Sequence, residues 1–260
     1  MQNSDLQDLI LSGVQWELDN VPTAMRSKII AASAISQQNT QSGAQSGATR
    51  TATTIVPPIS PIQSVTTEIA SAMAMRPTNM DEMLRMVAEF NHPLRNNAKN
   101  VVLPSVATKP NGLVIITDIP GVDDDASSHL MSGAPGELLD KMLAAIGMSR
   151  ANVSIVPMLF WRTPGGRTPN RTELDLSRPF VDRIIEMLAP KIIITFGTLP
   201  AQELCGVKVA NAQGNIQNLD NGCRLMPLYH PNYLILKPSA KRDVWNALQN
   251  VQNLLKNQDN

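Results

Sequence analysis

Aromatic side chains make up only 3% of this 260-residue chain, and net charge and cysteine are equally scarce. Lys+Arg and Asp+Glu both total 22, so the formal net charge is zero. That argues against an unspecialised polyanion binder, whose domain would be basic overall, and leaves room only for a local basic groove. The two cysteines, Cys205 and Cys223, stand 18 positions apart with no CxxC and no Cys/His cluster beside them. Such a pair builds neither a zinc site nor a four-thiolate iron–sulfur site, and each reads as a small packed hydrophobe. No run reaches the roughly 18 apolar residues that span a bilayer. The first 18 residues, MQNSDLQDLILSGVQWEL, carry acids inside their apolar run, unlike a secretory signal. A cytoplasmic location with no membrane role is the expectation.

Against these absences, 43% of the residues are hydrophobic, enough for the core of one good-sized domain plus extensions. Leu6, Leu9, Ile10, Val14 and Leu18 recur at three- and four-residue intervals, predicting an amphipathic helix in an N-terminal extension over 1–31. From 32 the composition shifts to Ser, Ala, Thr, Gln and Gly, followed by Pro57, Pro58 and Pro61. A segment of that kind buries too little apolar surface to offset its ordering entropy, so 32–79 reads as a disordered linker. A domain over 80–260 follows. It opens with a helix over 80–91 that carries Met80, Met83, Leu84 and Val87 on one side and Phe90 one turn on.

Beyond Gly112 strands and helices alternate. The apolar run 113–117 predicts a strand buried on both faces, and 153–158, 191–196 and 224–228 repeat the pattern. Helices are predicted over 136–147 with Gly147 as its closing residue, over 172–189 with Thr172 or a neighbour as cap, over 199–205 and over 239–255. Alternation with short loops implies a three-layer α/β/α sandwich around a central four-stranded parallel sheet. In such sheets ligands bind beyond the carboxyl ends of the strands. All four exits carry polar or turn-forming residues: Asp118-Ile119-Pro120-Gly121, Trp161 to Arg171, Gly197-Thr198, and His230-Pro231-Asn232.

Taken together, these segments resemble family 4 uracil-DNA glycosylases, above all the proteobacterial type. The family's GEAPG after the first strand reads here Thr117-Asp118-Ile119-Pro120-Gly121, followed by Asp123, Asp124 and Asp125. Its LLDKML helix is present as Leu138 to Leu143, and its PPGNRTPT loop as Thr163 to Asn170. RPF survives as Arg178-Pro179-Phe180, and the turn after the third strand as Phe196-Gly197 with Ala201. The final motif, HPAYLL with a following Pro, Lys-Arg and Trp, becomes His230-Pro231-Asn232-Tyr233-Leu234 with Pro238, Lys241, Arg242 and Trp245. The likeness covers roughly 85–255.

The resemblance implies a monomeric DNA-repair enzyme that hydrolyses the N-glycosidic bond of a flipped-out deaminated base. A base must leave the stack before that bond can be reached, and its rupture leaves a cationic sugar and an anionic base that both need stabilising. Asp118 then faces water and the sugar, and His230 donates to the leaving base. Ile119, Pro120, Gly121, Met131, Pro157 and Asn232 line the base pocket. Arg162, Arg167, Arg171, Lys237, Lys241 and Arg242 grip the DNA backbone. Plainer readings stand beside these: Asp118 as a turn cap, His230 as a structural histidine, and the basic residues as a solvated face.

Three departures from the family stand out. Its four cluster cysteines have no counterpart: none occurs within Phe90–Leu94, and Trp161 and Ser177 fill the other two places. No iron–sulfur cofactor and no metal is therefore expected. The aromatic residue that stacks on uracil is replaced by Met131, and the asparagine that reads its edge by Pro157. Loss of base-edge pairing weakens discrimination by about 10⁴ or more. The alternative is thus a catalytically degenerate member that binds DNA or a protein partner. A nucleotide-binding enzyme would need a glycine-rich phosphate loop after the first strand, where this chain has the acidic DIPGVDDD.

Overall fold

The computed structural model describes residues 66–219 and 222–256, so the predicted N-terminal helix and most of the predicted linker lie outside the described residues. Five strands form one sheet in the order β2-β1-β3-β5-β4. They are β1 (Leu113–Thr117), β2 (Ser154–Pro157), β3 (Ile192–Phe196), β4 (Gln217–Asn218) and β5 (Arg224–Leu228). β1, β2, β3 and β5 are the four predicted parallel strands. The sheet is nevertheless five-stranded, because the two-residue β4 pairs antiparallel with β5. Gln217 and Asn218 are polar and too few to show any periodicity, which is why the sequence did not announce them.

Every residue of β1, β2 and β3 is buried, as expected for strands covered on both faces. Alternate side chains feed two separate cores. Val114, Ile116, Val156, Ile193 and Leu225 face one layer, built from α1 (Thr67–Ala74), α2 (Met80–Glu89) and α5 (Arg171–Leu188). Leu113, Ile115, Ile155, Ile194 and Met226 face the other, built from α4 (Gly133–Ala145), α8 (Pro231–Leu236) and α9 (Lys241–Lys256). The three-layer sandwich is the direct result of period-two strands meeting helices on both sides. Pro157 is tolerated because β2 lies at the sheet edge, where a missing N–H leaves no inner ladder broken.

Three of the differences from expectation are instructive. Helix α1 falls inside the segment read as linker: its Ala70 and Ala74 are buried in the core, and small side chains gave little apolar signal. Helix α4 starts at Gly133 rather than 136, since Gly133-Ala134-Pro135 looks like a breaker yet occupies the first turn, where proline lacks only an N–H that has no helical partner. Helix α5 is capped by Asn170, not Thr172: its side chain accepts from Glu173 N while the Glu173 carboxylate accepts from Asn170 N. Gly147 does close α4, at φ +73°.

Candidate functional site

The four parallel strands end flush. Thr117 pairs with Pro157 on one side and Phe196 on the other, and Phe196 pairs with Leu228. Asp118, Gly197 and Tyr229 therefore form the next row, with His230 one residue beyond. Asp118 and His230 stand at the same carboxyl edge with β3 between them; at about 4.8 Å per strand that is about 10 Å apart across the sheet. A cleft of about 980 Å³ among Arg178, Asp182, Lys191, Ile193 and Cys223 sits at the opposite, amino edge, away from both residues. The strand-exit rule favours the carboxyl edge as the place of any chemistry.

Gly197 makes room for Asp118. Its φ is +102°, and a Cβ there would lie 2.0 Å from Asp118 Oδ2. Gly197 is also the cap residue of α6 (Thr198–Cys205) and has no side chain to cap with. Asp118 supplies that cap from the neighbouring strand, Oδ1 accepting from Leu199 N at 3.2 Å. The single N–H bond favours the carboxylate, yet burial outweighs it and pushes the Asp118 pKa up to about 7. Expected to cap its own following turn, Asp118 caps instead the helix after β3, which leaves Oδ2 facing Gly197.

His230 caps α8: its Nδ1 accepts from Asn232 N at 3.1 Å. An accepting Nδ1 puts the proton of the neutral ring on Nε2, so the ring presents an N–H donor. Burial holds its pKa down at about 4, which keeps the imidazole neutral at physiological pH. Beside it Tyr229 and Tyr233 pack with ring centroids 4.6 Å apart, and Lys237 Nζ lies 5.8 Å from the Tyr233 centroid.

The expected pocket residues divide by depth. Pro120, Met131 and Pro157 are buried, Ile119 and Asn232 half-buried, and Gly121 exposed. Met131 sits in the left-handed region at φ +53°, a costly conformation for a non-glycine residue. Two groups that sequence reasoning missed hold it there. Arg150 donates to the carbonyls of Leu130 (2.8 Å) and Met131 (2.7 Å) while pairing with Asp140. Asp124 accepts from Gly121 N at 3.0 Å and Ser132 N at 2.7 Å, tying the DIPG turn to the Met131 loop. Three adjacent acids signalled only charge; nothing in them marked Asp124 as a bridge.

The basic residues do not all behave as foreseen. Arg167 forms a two-pronged pair with Glu173, at 2.9 and 2.5 Å. Arg171 is held by Asp175 at 2.7 Å and Glu203 at 3.0 Å. Both guanidiniums are committed to internal carboxylates and offer DNA less than their formal charge suggests. Arg162 is half-buried; Lys237, Lys241 and Arg242 are exposed next to α8 and at the start of α9, with no ion pair among the described residues.

The four-cysteine cluster implied by the resemblance does not fit the residues present. Trp161 is fully buried against His92, Phe90 and Phe160, and Ser177 offers a buried hydroxyl without a hydrogen-bond partner. Cys205 and Cys223 lie at the end of α6 and just before β5. Among the described residues no group of three His, Cys, Asp or Glu side chains is placed to hold a metal.

Comparison with known proteins agrees with this architecture. A family model described as Uracil DNA glycosylase superfamily matches residues 105–249. A Type-4 uracil-DNA glycosylase of Pyrobaculum aerophilum is 32% identical over 160 residues, 57% of this chain and 80% of that protein. A namesake from Archaeoglobus fulgidus is 24% identical over 174 residues, covering 64% and 87%. Another from Thermotoga maritima is 26% identical over 169 residues, covering 63% and 88%. The family model covers more than half of the chain, which belongs to the uracil-DNA glycosylase superfamily and is similar to its type-4 members.

Proposed function

We propose that this protein is a DNA N-glycosylase that hydrolyses the glycosidic bond of a deaminated base turned out of the helix, acting as a monomer in the cytoplasm. One observation carries the reading: Asp118 and His230 flank the Gly197 turn at one sheet edge, the histidine with Nδ1 accepting and Nε2 left as a donor. The Asp118 carboxylate, in its ionised form, orients water and offsets the positive charge that grows on the sugar. Neutral His230 donates through Nε2 to the base carbonyl as negative charge collects there. Donation from a neutral imidazole avoids burying a cation. Ile119, Pro120 and Asn232 bound the base, with Met131 and Pro157 as apolar walls, and Arg162, Lys237, Lys241 and Arg242 meet the phosphates. Type-4 relatives are named for uracil. Pro157 supplies no side-chain donor or acceptor, so a broader choice among deaminated bases follows.

A non-catalytic binder is the second reading, favoured by the same Pro157 and by the depth at which Met131 is packed. The test uses single- and double-stranded oligonucleotides carrying uracil, hypoxanthine or xanthine, with abasic sites cleaved by alkali. Base release lost in both Asp118→Ala and His230→Ala supports the enzyme. Salt-sensitive binding without release supports the binder.

A further inference from the structure

The residues where cluster thiolates do not fit are not loosely packed. His92 is 1% exposed and lies flat on Trp161, ring centroids 4.8 Å apart at 7°. Phe90 and Phe180 close the stack, 4.7 Å apart. Both His92 nitrogens are used: Nδ1 accepts from Leu94 N at 3.1 Å, so Nε2 carries the proton and donates to the Glu173 carbonyl at 3.0 Å. Glu173 is itself a junction. Its carboxylate, 5% exposed with the rest of the residue, takes both prongs of Arg167 and the N–H of Asn170.

These contacts make one chain of connection: Trp161 at the exit of β2, His92 from the turn after α2, Glu173 in the first turn of α5, and Arg167 at the tip of the loop. The loop 162–170 is thus held at its root, its tip and its end. Within it Thr163 donates to the Arg167 carbonyl at 2.6 Å, and Gly165 and Gly166 adopt φ of +65° and +71°. Two left-handed glycines give a loop with little stiffness of its own.

We propose that His92 is the positioning residue of the arginine loop: its buried imidazole bridges Leu94 and Glu173 and stacks on Trp161, so that an aromatic, hydrogen-bonded clamp does the holding that thiolate–iron bonds would do. The loop's use as a DNA contact rests on the proposed glycosylase reading; the clamp itself does not. His92 touches no reacting atom. It acts through Glu173, whose carboxylate is kept below its ordinary range chiefly by Arg167.

Two polar variants of the full chain separate the bridge from a mere local cap. Gln in place of His92 reaches as far as Nε2 and can donate to the Glu173 carbonyl, whereas Asn reaches only as far as Nδ1 and can serve Leu94 alone. Amide hydrogen exchange over 163–168 is the readout. Asn should speed it about tenfold, the equivalent of one lost hydrogen bond, and Gln by no more than about threefold. Affinity for a single-stranded oligonucleotide at fixed salt should weaken about tenfold in His92→Asn and recover in His92→Gln. Equal exchange in the two variants, or acceleration shared with β3, overturns the clamp, as does stoichiometric iron in the purified protein. Exchange needs no DNA, so the role of His92 is decided even in a chain that releases no base.

Discussion

Asp118 sits where two demands collide. As the cap of α6 it is drawn toward the ionised form by Leu199 N–H, and burial against Gly197 pulls it the other way and wins. In the proposed reaction the carboxylate must be charged, and a pKa pushed up to about 7 gives a rate that climbs with pH. The expected profile of kcat/KM rises tenfold per unit below about pH 7 and levels off above it. His230 adds no second limb, since its pKa of about 4 keeps it neutral throughout. Measuring base release between pH 5 and 9 decides this: a plateau already reached at pH 5 would show that the working carboxylate is not raised to about 7.

Between elements, the candidate site at the carboxyl edge is assembled by side chains that bridge loops. Asp124 joins the DIPG turn after β1 to the left-handed Met131 ahead of α4, and Gly136 allows Met131 O to approach so closely that a Cβ would lie 1.7 Å from it. The Asp124→Ala change removes both accepted bonds and should cost about 1–3 kcal/mol of stability. Met131 would then be free to relax from φ +53°, and the wall it forms would move. The expected kinetic mark is a fall in kcat of about tenfold or more, the cost of misplacing groups around the reacting bond, while affinity for undamaged DNA stays within about twofold. Unfolding curves and binding titrations on the same preparation check both halves. Equal losses in kcat and in general DNA affinity would contradict a local role.

Across the whole molecule, Asp118 and His230 tilt stability in opposite directions. Asp118 keeps its proton in the folded state from its ordinary value of 3.8 up to about 7, so its contribution is full in acid and disappears as pH rises through 7. His230 refuses a proton from 6.5 down to about 4, so its contribution is full above 6.5 and is lost as pH falls. The two slopes offset each other between pH 4 and 6.5. Asp118→Asn removes one of them. Relative to the parent, that variant should gain roughly 1–3 kcal/mol at pH 8 compared with pH 4, read from urea unfolding at the two values. A difference independent of pH would show that Asp118 is not held protonated by burial.

Period and punctuation alone determined much of this protein. The four apolar runs at 113–117, 153–158, 191–196 and 224–228 suited strands covered on both faces, and Gly147 could be seen to stop a helix. Those signals are local, carried by neighbouring residues, and they place Asp118 and His230 at strand exits without any knowledge of packing. Tertiary structure decided what the same residues touch. That Arg167 spends its charge on Glu173, that Asp124 spans two loops, and that His92 lies on Trp161 with its proton aimed at Glu173 O depend on residues 6, 8, 69 and 81 positions apart. Partners so spaced meet only once the chain has folded. Hydrogen bonds and ion pairs, unlike hydrophobic burial, require a specific partner at a specific distance, and no one-dimensional pattern encodes it.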